Sequence, residues 1–151
     1  MSDQTYTDYE AKVSRARELR AEIMPDNRRV LFDALRCAGI AVVNITFDGV
    51  GDSGQVDMPE AFGPDNEALP LPNGNISIKT INSELGCIVE TEVLLTDYLE
   101  ELAYDLLEST HSGWEDNEGA YGEFKFMPSK SSITLEYNER YIETQLHSHE
   151  F

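Results

Sequence analysis

Apolar residues recur every third or fourth position through Tyr9, Val13, Ala16, Leu19 and Ile23, and then meet Pro25. That period marks one face of a helix. An interior proline removes a backbone hydrogen bond and clashes with the preceding turn, so the pattern predicts a helix ending near residue 24. Thr7 and Glu10 stand at the spacing of a capping box at its start. A second helix is predicted from Asp26, with Val30, Leu31, Ala34, Leu35 and Ala38 on one side and Gly39 as the left-handed residue that closes it. The expected N-terminal third is therefore a helical pair whose bases lie mainly on solvent-facing positions.

At Ile40 the period changes to two. Ala41, Val43, Ile45 and Phe47 alternate with Val42, Asn44, Thr46 and Asp48, the pattern of a half-buried strand. The glycine-rich bend at residues 49–54 leads to a shorter strand near Gln55–Met58, which reads as a hairpin with an elaborate tip. Residues 59–75 hold four of the six prolines and read as a surface loop. Strand signal returns at residues 76–81 and, more weakly, at 87–89. Leu95, Leu99, Leu102 and Leu106 then line a helix over about residues 96–110, with Thr96 as expected N-cap and Asp97 in the first turn, where the helix dipole favours an anion. A last hairpin sets Phe124 and Phe126 against Ile133, Leu135 and Tyr137. No repeat recurs at a fixed period.

These elements predict an α+β fold: an antiparallel sheet of four to six strands packed by the helix of the C-terminal half, with the N-terminal helical pair alongside. The chain has 151 residues, the size of one ordinary domain. One domain over residues 1–151 is expected, with residues 1–24 as a peripheral helix and 145–151 as a frayed tail. The start of the chain is polar and acidic rather than basic and then apolar, so export is not expected and a cytoplasmic location is. Cys37 and Cys87 lie far apart without a CxxC spacing and read as two buried, reduced thiols.

Charge changes the picture most. The formal net charge is −18, and residues 1–36 hold equal numbers of acids and bases. Beyond them the only bases are Lys79, Lys125, Lys130 and Arg140, so the whole excess falls on residues 37–151. Such a body repels phosphate and anionic membrane and attracts cations over a Debye length of about 8–10 Å. Direct nucleic-acid binding and membrane association are therefore not expected; a basic protein surface is, such as that of a nucleic-acid-binding protein.

Several strings invite chemistry. Gly51-Asp52-Ser53-Gly54 matches the surroundings of the nucleophilic serine in trypsin-like proteases, but all three histidines (His111, His147, His149) follow Ser53, the reverse of that family's order. A tight turn explains the string better. Asp48, Asp52 and Asp57 raise calcium, yet counting an EF-hand loop from Asp48 puts Val50 at position 3, Ser53 at 6 and Pro59 at 12, so the pattern fails. Glu115-Asp116-Asn117-Glu118-Gly119, after Trp114, is a second acidic loop. His111 reads as a helix C-terminal cap, and His147-Ser148-His149-Glu150 as a tail. No phosphate loop, zinc pattern or dinucleotide fingerprint is present, and no cofactor or metal is expected.

FDGVGDSGQV (residues 47–56), ELAYDLLESTHSGWEDNEGAYGEFKF (101–126) and LEYNERY (135–141) together resemble a bacterial family of unknown function, whose members look like small proteins often carried by plasmids and other mobile elements. The resemblance covers roughly residues 30–151 and leaves the first helix as an addition. It implies no activity and no catalytic residues. It does imply that Asp48, Asp52, Ser53 and Trp114 belong to one shared loop feature.

The expectation is a non-catalytic acidic interaction protein. Asp97, Glu100, Glu101, Asp105 and Glu108 give the predicted C-terminal-half helix five negative charges and no base, and Glu115, Asp116 and Glu118 extend the acidic face. Spaced carboxylates on a helix can imitate a phosphate row and occupy a basic groove, as anti-restriction and anti-CRISPR inhibitors do. Two alternatives remain open at this level. One is a metal-dependent enzyme or calcium-binding domain built from the two glycine-rich acidic loops, which requires those loops to converge. The other is a dimeric adaptor using the N-terminal helix or a sheet edge.

Overall fold

The computed structural model describes residues 2–82 and 84–151. Helix α1 (Ser2–Cys37) is followed by strands β1 (Val42–Val50), β2 (Ser53–Val56), β3 (Glu60–Phe62), β4 (Ala68–Leu69), β5 (Asn75–Asn82) and β6 (Cys87–Leu94). Helix α2 (Leu95–Thr110) and strands β7 (Ala120–Met127) and β8 (Ser132–Glu139) complete the order, with a single 3₁₀ turn at Pro128–Lys130. The fold is α+β and every strand pair is antiparallel.

The main sheet has six strands in the order β4-β3-β1-β7-β8, with β2 also on β1. Nine-residue β1 organises it. One edge pairs with β7 over Val43–Gly49, while the other is shared, Val42–Asn44 with β3 and Phe47–Val50 with β2. Alternation sends Val43, Ile45 and Phe47 inward, each at most 2 % exposed, to meet Phe124 and Phe126 of β7. α2 lays Leu95, Leu99, Leu102 and Leu107 on that face, and α1 adds Leu31, Phe32 and Leu35. The hairpin β5–β6 is a separate two-stranded sheet that contributes Ile76 and Ile78 to the same core.

The N-terminal helical pair is corrected to one helix of 36 residues that runs through Pro25. Proline's fixed φ is itself helical, so the cost is confined to one lost hydrogen bond and crowding at the carbonyl four residues earlier. The next turn is tied down strongly enough to offset it. Asp26 takes Lys79 Nζ at 2.6 Å. Asn27, only 5 % exposed, accepts from the Lys79 amide at 2.7 Å and donates to the Lys79 carbonyl at 2.8 Å. Asn27 thus does for the open edge of β5 what a neighbouring strand would do. Farther on, Arg28 donates to the Ser131 carbonyl, and Arg36 to the Pro128 carbonyl and Ser131 Oγ, which pins α1 to the β7–β8 turn.

Four smaller expectations also change. The cysteines are not buried: Cys37 is exposed and Cys87 half-buried. Residues 59–75 contain β3 and β4, whose prolines fall between the strands rather than in them. β6 continues to Leu94 through the exposed Glu90, Thr91 and Glu92, because its outer residues face water and leave little apolar signal. Thr96 and Thr7 lie inside their helices; the N-cap of α2 is Leu94, which makes no side-chain capping bond. Gly39 does adopt a positive φ of 74° just beyond α1. Residues 141–151 are exposed and form neither helix nor strand.

Candidate functional site

The two acidic loops meet. At the β1–β2 tip, Gly51 and Asp52 both have positive φ, 62° and 64°, forming a two-residue turn that lets Val50 pair with Ser53. The turn's amides point at the other loop: Gly51 N donates to the Asn117 carbonyl at 3.1 Å, and Asp52 N to the Glu115 carbonyl at 2.9 Å. Trp114 closes the underside, 4 % exposed and edge-on to Phe47 with ring centres 5.6 Å apart. Glycine is required here for space. A Cβ at Gly54 would stand 2.4 Å from the Trp114 ring, and one at Gly119 only 1.6 Å from the Gly49 carbonyl oxygen.

The shared feature is therefore a backbone clasp around one tryptophan, and its carboxylates have separate tasks. Asp48 receives both Nη atoms of Arg140, at 2.9 and 3.1 Å, while Arg140 also donates to the Gly49 carbonyl and lies 4.6 Å above the Tyr121 ring. Asp57 accepts from Thr46 Oγ1 at 2.6 Å, outside the clasp. Ser53 is an exposed ladder residue paired with Val50. Desolvation, followed by the neighbouring Asp52 and Glu115 carboxylates, raises the pKa of Asp116 above the ordinary value. Glu115 buries Oε2 without a hydrogen-bond partner. Among the described residues, no three acids, histidines or cysteines are grouped so as to hold a metal ion. His111 is the C-cap of α2, as expected, and stacks on Tyr137 with centres 3.6 Å apart. An open cavity of about 400 Å³ lies beside the clasp, between Trp114, Asp116, Glu118, Tyr137 and Arg140. The only pointers to Arg140 in the sequence are its place in LEYNERY and its being the last lysine or arginine of the chain.

The second arrangement is the acidic stripe of α2. At about 100° per residue, Asp97, Glu100, Glu101, Asp105 and Glu108 occupy an arc of roughly 140° and about 16 Å of axis. Their arc is opposite the buried Leu95, Leu99, Leu102, Ala103 and Leu107. Asp97, Glu101, Asp105 and Glu108 are exposed and Glu100 half-buried. Tyr104 stands within the stripe, 38 % exposed, its hydroxyl accepting from the Val56 amide at 3.0 Å. Ion pairs occupy Arg15, Arg29, Arg36, Lys79, Lys125 and Arg140, and among the described residues none of them reaches α2 or Glu115, Asp116 and Glu118. Arg20 of α1 comes near enough to lower the pKa of Asp105, but desolvation outweighs it and the net shift is upward. Glu101, Asp105 and Glu108 form one rim of a groove of about 900 Å³ whose floor includes Ile23, Ile78 and Leu102.

Fold and site together define an acidic α+β protein with a glycine–tryptophan clasp and an anionic helix that forms no ion pair among the described residues. The chain belongs to the family of unknown function DUF6878, which matches residues 23–151. No curated protein and no solved structure matches it. Among the described residues, no helix is long and apolar enough to cross a membrane.

Proposed function

We propose that the protein is a non-catalytic binder that presents the α2 stripe to a basic surface of another protein, in the manner of a nucleic-acid mimic. The observation that carries this reading is a conflict between the stripe and its own helix. Asp97 with Glu100 and Glu101, Glu101 with Asp105, and Asp105 with Glu108 are like-charge neighbours three or four residues apart. The last turn holds no base, so Glu108 and Asp105 also approach the negative end of the helix dipole. Such a stripe weakens α2 and, among the described residues, contributes no ion pair to the fold. Local choices that oppose their own element mark positions kept for something other than folding.

The clasp supports the stripe by fixing the chain just past the C-terminus of α2. Glu115, Asp116 and Glu118 then continue the negative field. A partner surface of arginines and lysines, shaped for a phosphate backbone, suits this row; host nucleases and other nucleic-acid-binding proteins of the kind that mobile-element inhibitors block are the class to search. The experiment is capture of partners from a bacterial lysate by the intact protein and by the Glu101→Gln/Glu108→Gln variant, followed by affinity measurement across salt concentration. Binding that weakens steeply with salt and with the variant supports the reading. A partner retained equally by both proteins at all salt concentrations refutes it.

A further inference from the structure

The first half of α1 is an arm. From Thr5 to Arg15 every residue is exposed, and the helix first becomes buried at Leu19. Tyr6 and Tyr9 are 65 % and 66 % exposed and Val13 39 %. With Ala16 they form a seam of alternating three- and four-residue steps, and the same rhythm continues through Arg20 to Ile23, which the body covers. The seam is thus the packing side of α1, extended beyond the part of the protein that packs on it. A helical stretch of this length is marginal in water without a partner for its apolar side.

Charge says which partner. Asp8 and Glu10 stand in the first part of the arm, and Lys12, Arg15, Arg17 and Arg20 in the second, where Glu18 is the acid that pairs with Arg15. Two arms side by side in the same direction would set bases against bases. Two arms in opposite directions set the acidic part of each against the basic part of the other. In heptad terms Tyr6 and Val13 occupy one seam position, Tyr9 and Ala16 the other, and Glu10 and Arg17 flank them on the same side. An antiparallel register that places Val13 against Ala16 brings Glu10 of each copy across from Arg17 of the other.

We propose that this arm docks antiparallel on the same arm of a second copy, making the protein a homodimer joined through residues 9–20. The acidic stripes of α2 stay outside the contact, so the dimer presents two of them. This inference is independent of what the stripes bind.

The test is the mass of the intact protein in solution, under reducing conditions, by sedimentation equilibrium from about 5 to 500 µM, the range in which a small interface is expected to associate. Mass rising to twice that of the chain is expected. Val13→Asp should weaken association at least about tenfold, equivalent to the loss of one central seam contact. Its thermal midpoint at low concentration should match the parent, because Val13 lies off the body. Arg17→Glu alone should weaken association, and Arg17→Glu combined with Glu10→Arg should restore it. A single-chain mass throughout the range overturns the proposal. So does a dimer indifferent to Val13→Asp, or one that the exchanged pair fails to restore.

Discussion

Neutralising the α2 stripe should make the protein more stable, which distinguishes a binding surface from a structural one. Glu101→Gln/Glu108→Gln removes three like-charge contacts, Asp97–Glu101, Glu101–Asp105 and Asp105–Glu108, and keeps the approach of Arg20 to Asp105. Like-charge neighbours on a helix cost about 0.2–0.5 kcal/mol each. A carboxylate in the last turn costs about 0.3–1 kcal/mol against the dipole. The double variant should therefore gain about 1–2.5 kcal/mol at low salt. The two glutamates are exposed, so screening should reduce the gain markedly near 0.5 M salt, where the Debye length is about 4 Å. Urea unfolding of both proteins at low and high salt measures the difference, with an unchanged m-value showing that the same surface is exposed on unfolding. A loss of stability, or a gain equally large at high salt, would refute the claim that the stripe works against its own helix.

Other consequences test the scaffold. Asn27→Ala should cost about 2–3 kcal/mol, since it leaves both backbone groups of Lys79 without their partner, and amide exchange should quicken at Lys79. Gly54→Ala should destabilise by about 1–3 kcal/mol through overpacking against the Trp114 ring, and the emission of the chain's one tryptophan should shift to the red as the ring is displaced. Asp116 has a raised pKa, so the folded protein binds the proton more tightly and stability falls as pH rises through the window above 3.8. Asp116→Asn should accordingly stabilise at neutral pH, and the gain should vanish below that window in acid unfolding curves. Burial pushes the Tyr98 phenol up to about 12, with Asp105 and Glu101 reinforcing it. Ultraviolet titration should show tyrosine ionisation extending well above the ordinary value of 10.0, with Tyr98 among the late groups, and stability should drop between 10.0 and about 12.

Periodic apolar residues made the main elements legible, because β1, α2 and the β7–β8 hairpin each bury one face. The pattern failed where a backbone or polar contact decides. Pro25 reads as a stop until Asp26 and Asn27 are seen to grip β5, a contact across more than fifty residues that no local window contains. β6 is less legible for a related reason: its middle, Glu90-Thr91-Glu92, is polar and exposed, so only its ends carry apolar signal. The motif pieces around Asp52 and Trp114 stood out in sequence, but not what joins them, since the clasp is made by main-chain amides and carbonyls. Glycine was the readable trace, because each close approach at residues 49, 54 and 119 excludes a side chain.

The division of charge along the chain follows the division between arm and body. The family match begins at residue 23, four positions after α1 first becomes buried at Leu19, so the arm lies outside the part shared with the family. Within the body the bases are used to fix geometry: Lys79 joins β5 to α1, Arg36 joins α1 to the β7–β8 turn, and Arg140 locks Asp48 beside the clasp. Among the described residues none of them forms an ion pair with α2. In the arm, by contrast, Lys12, Arg17 and Arg20 stand outside the ion pairs seen among the described residues, ordered after Asp8 and Glu10. Arg20 comes near α2, but its effect on Asp105 is outweighed by desolvation. The stripe therefore stays open to cations from outside, while the charges of Lys12 and Arg17 are left to be matched by another molecule.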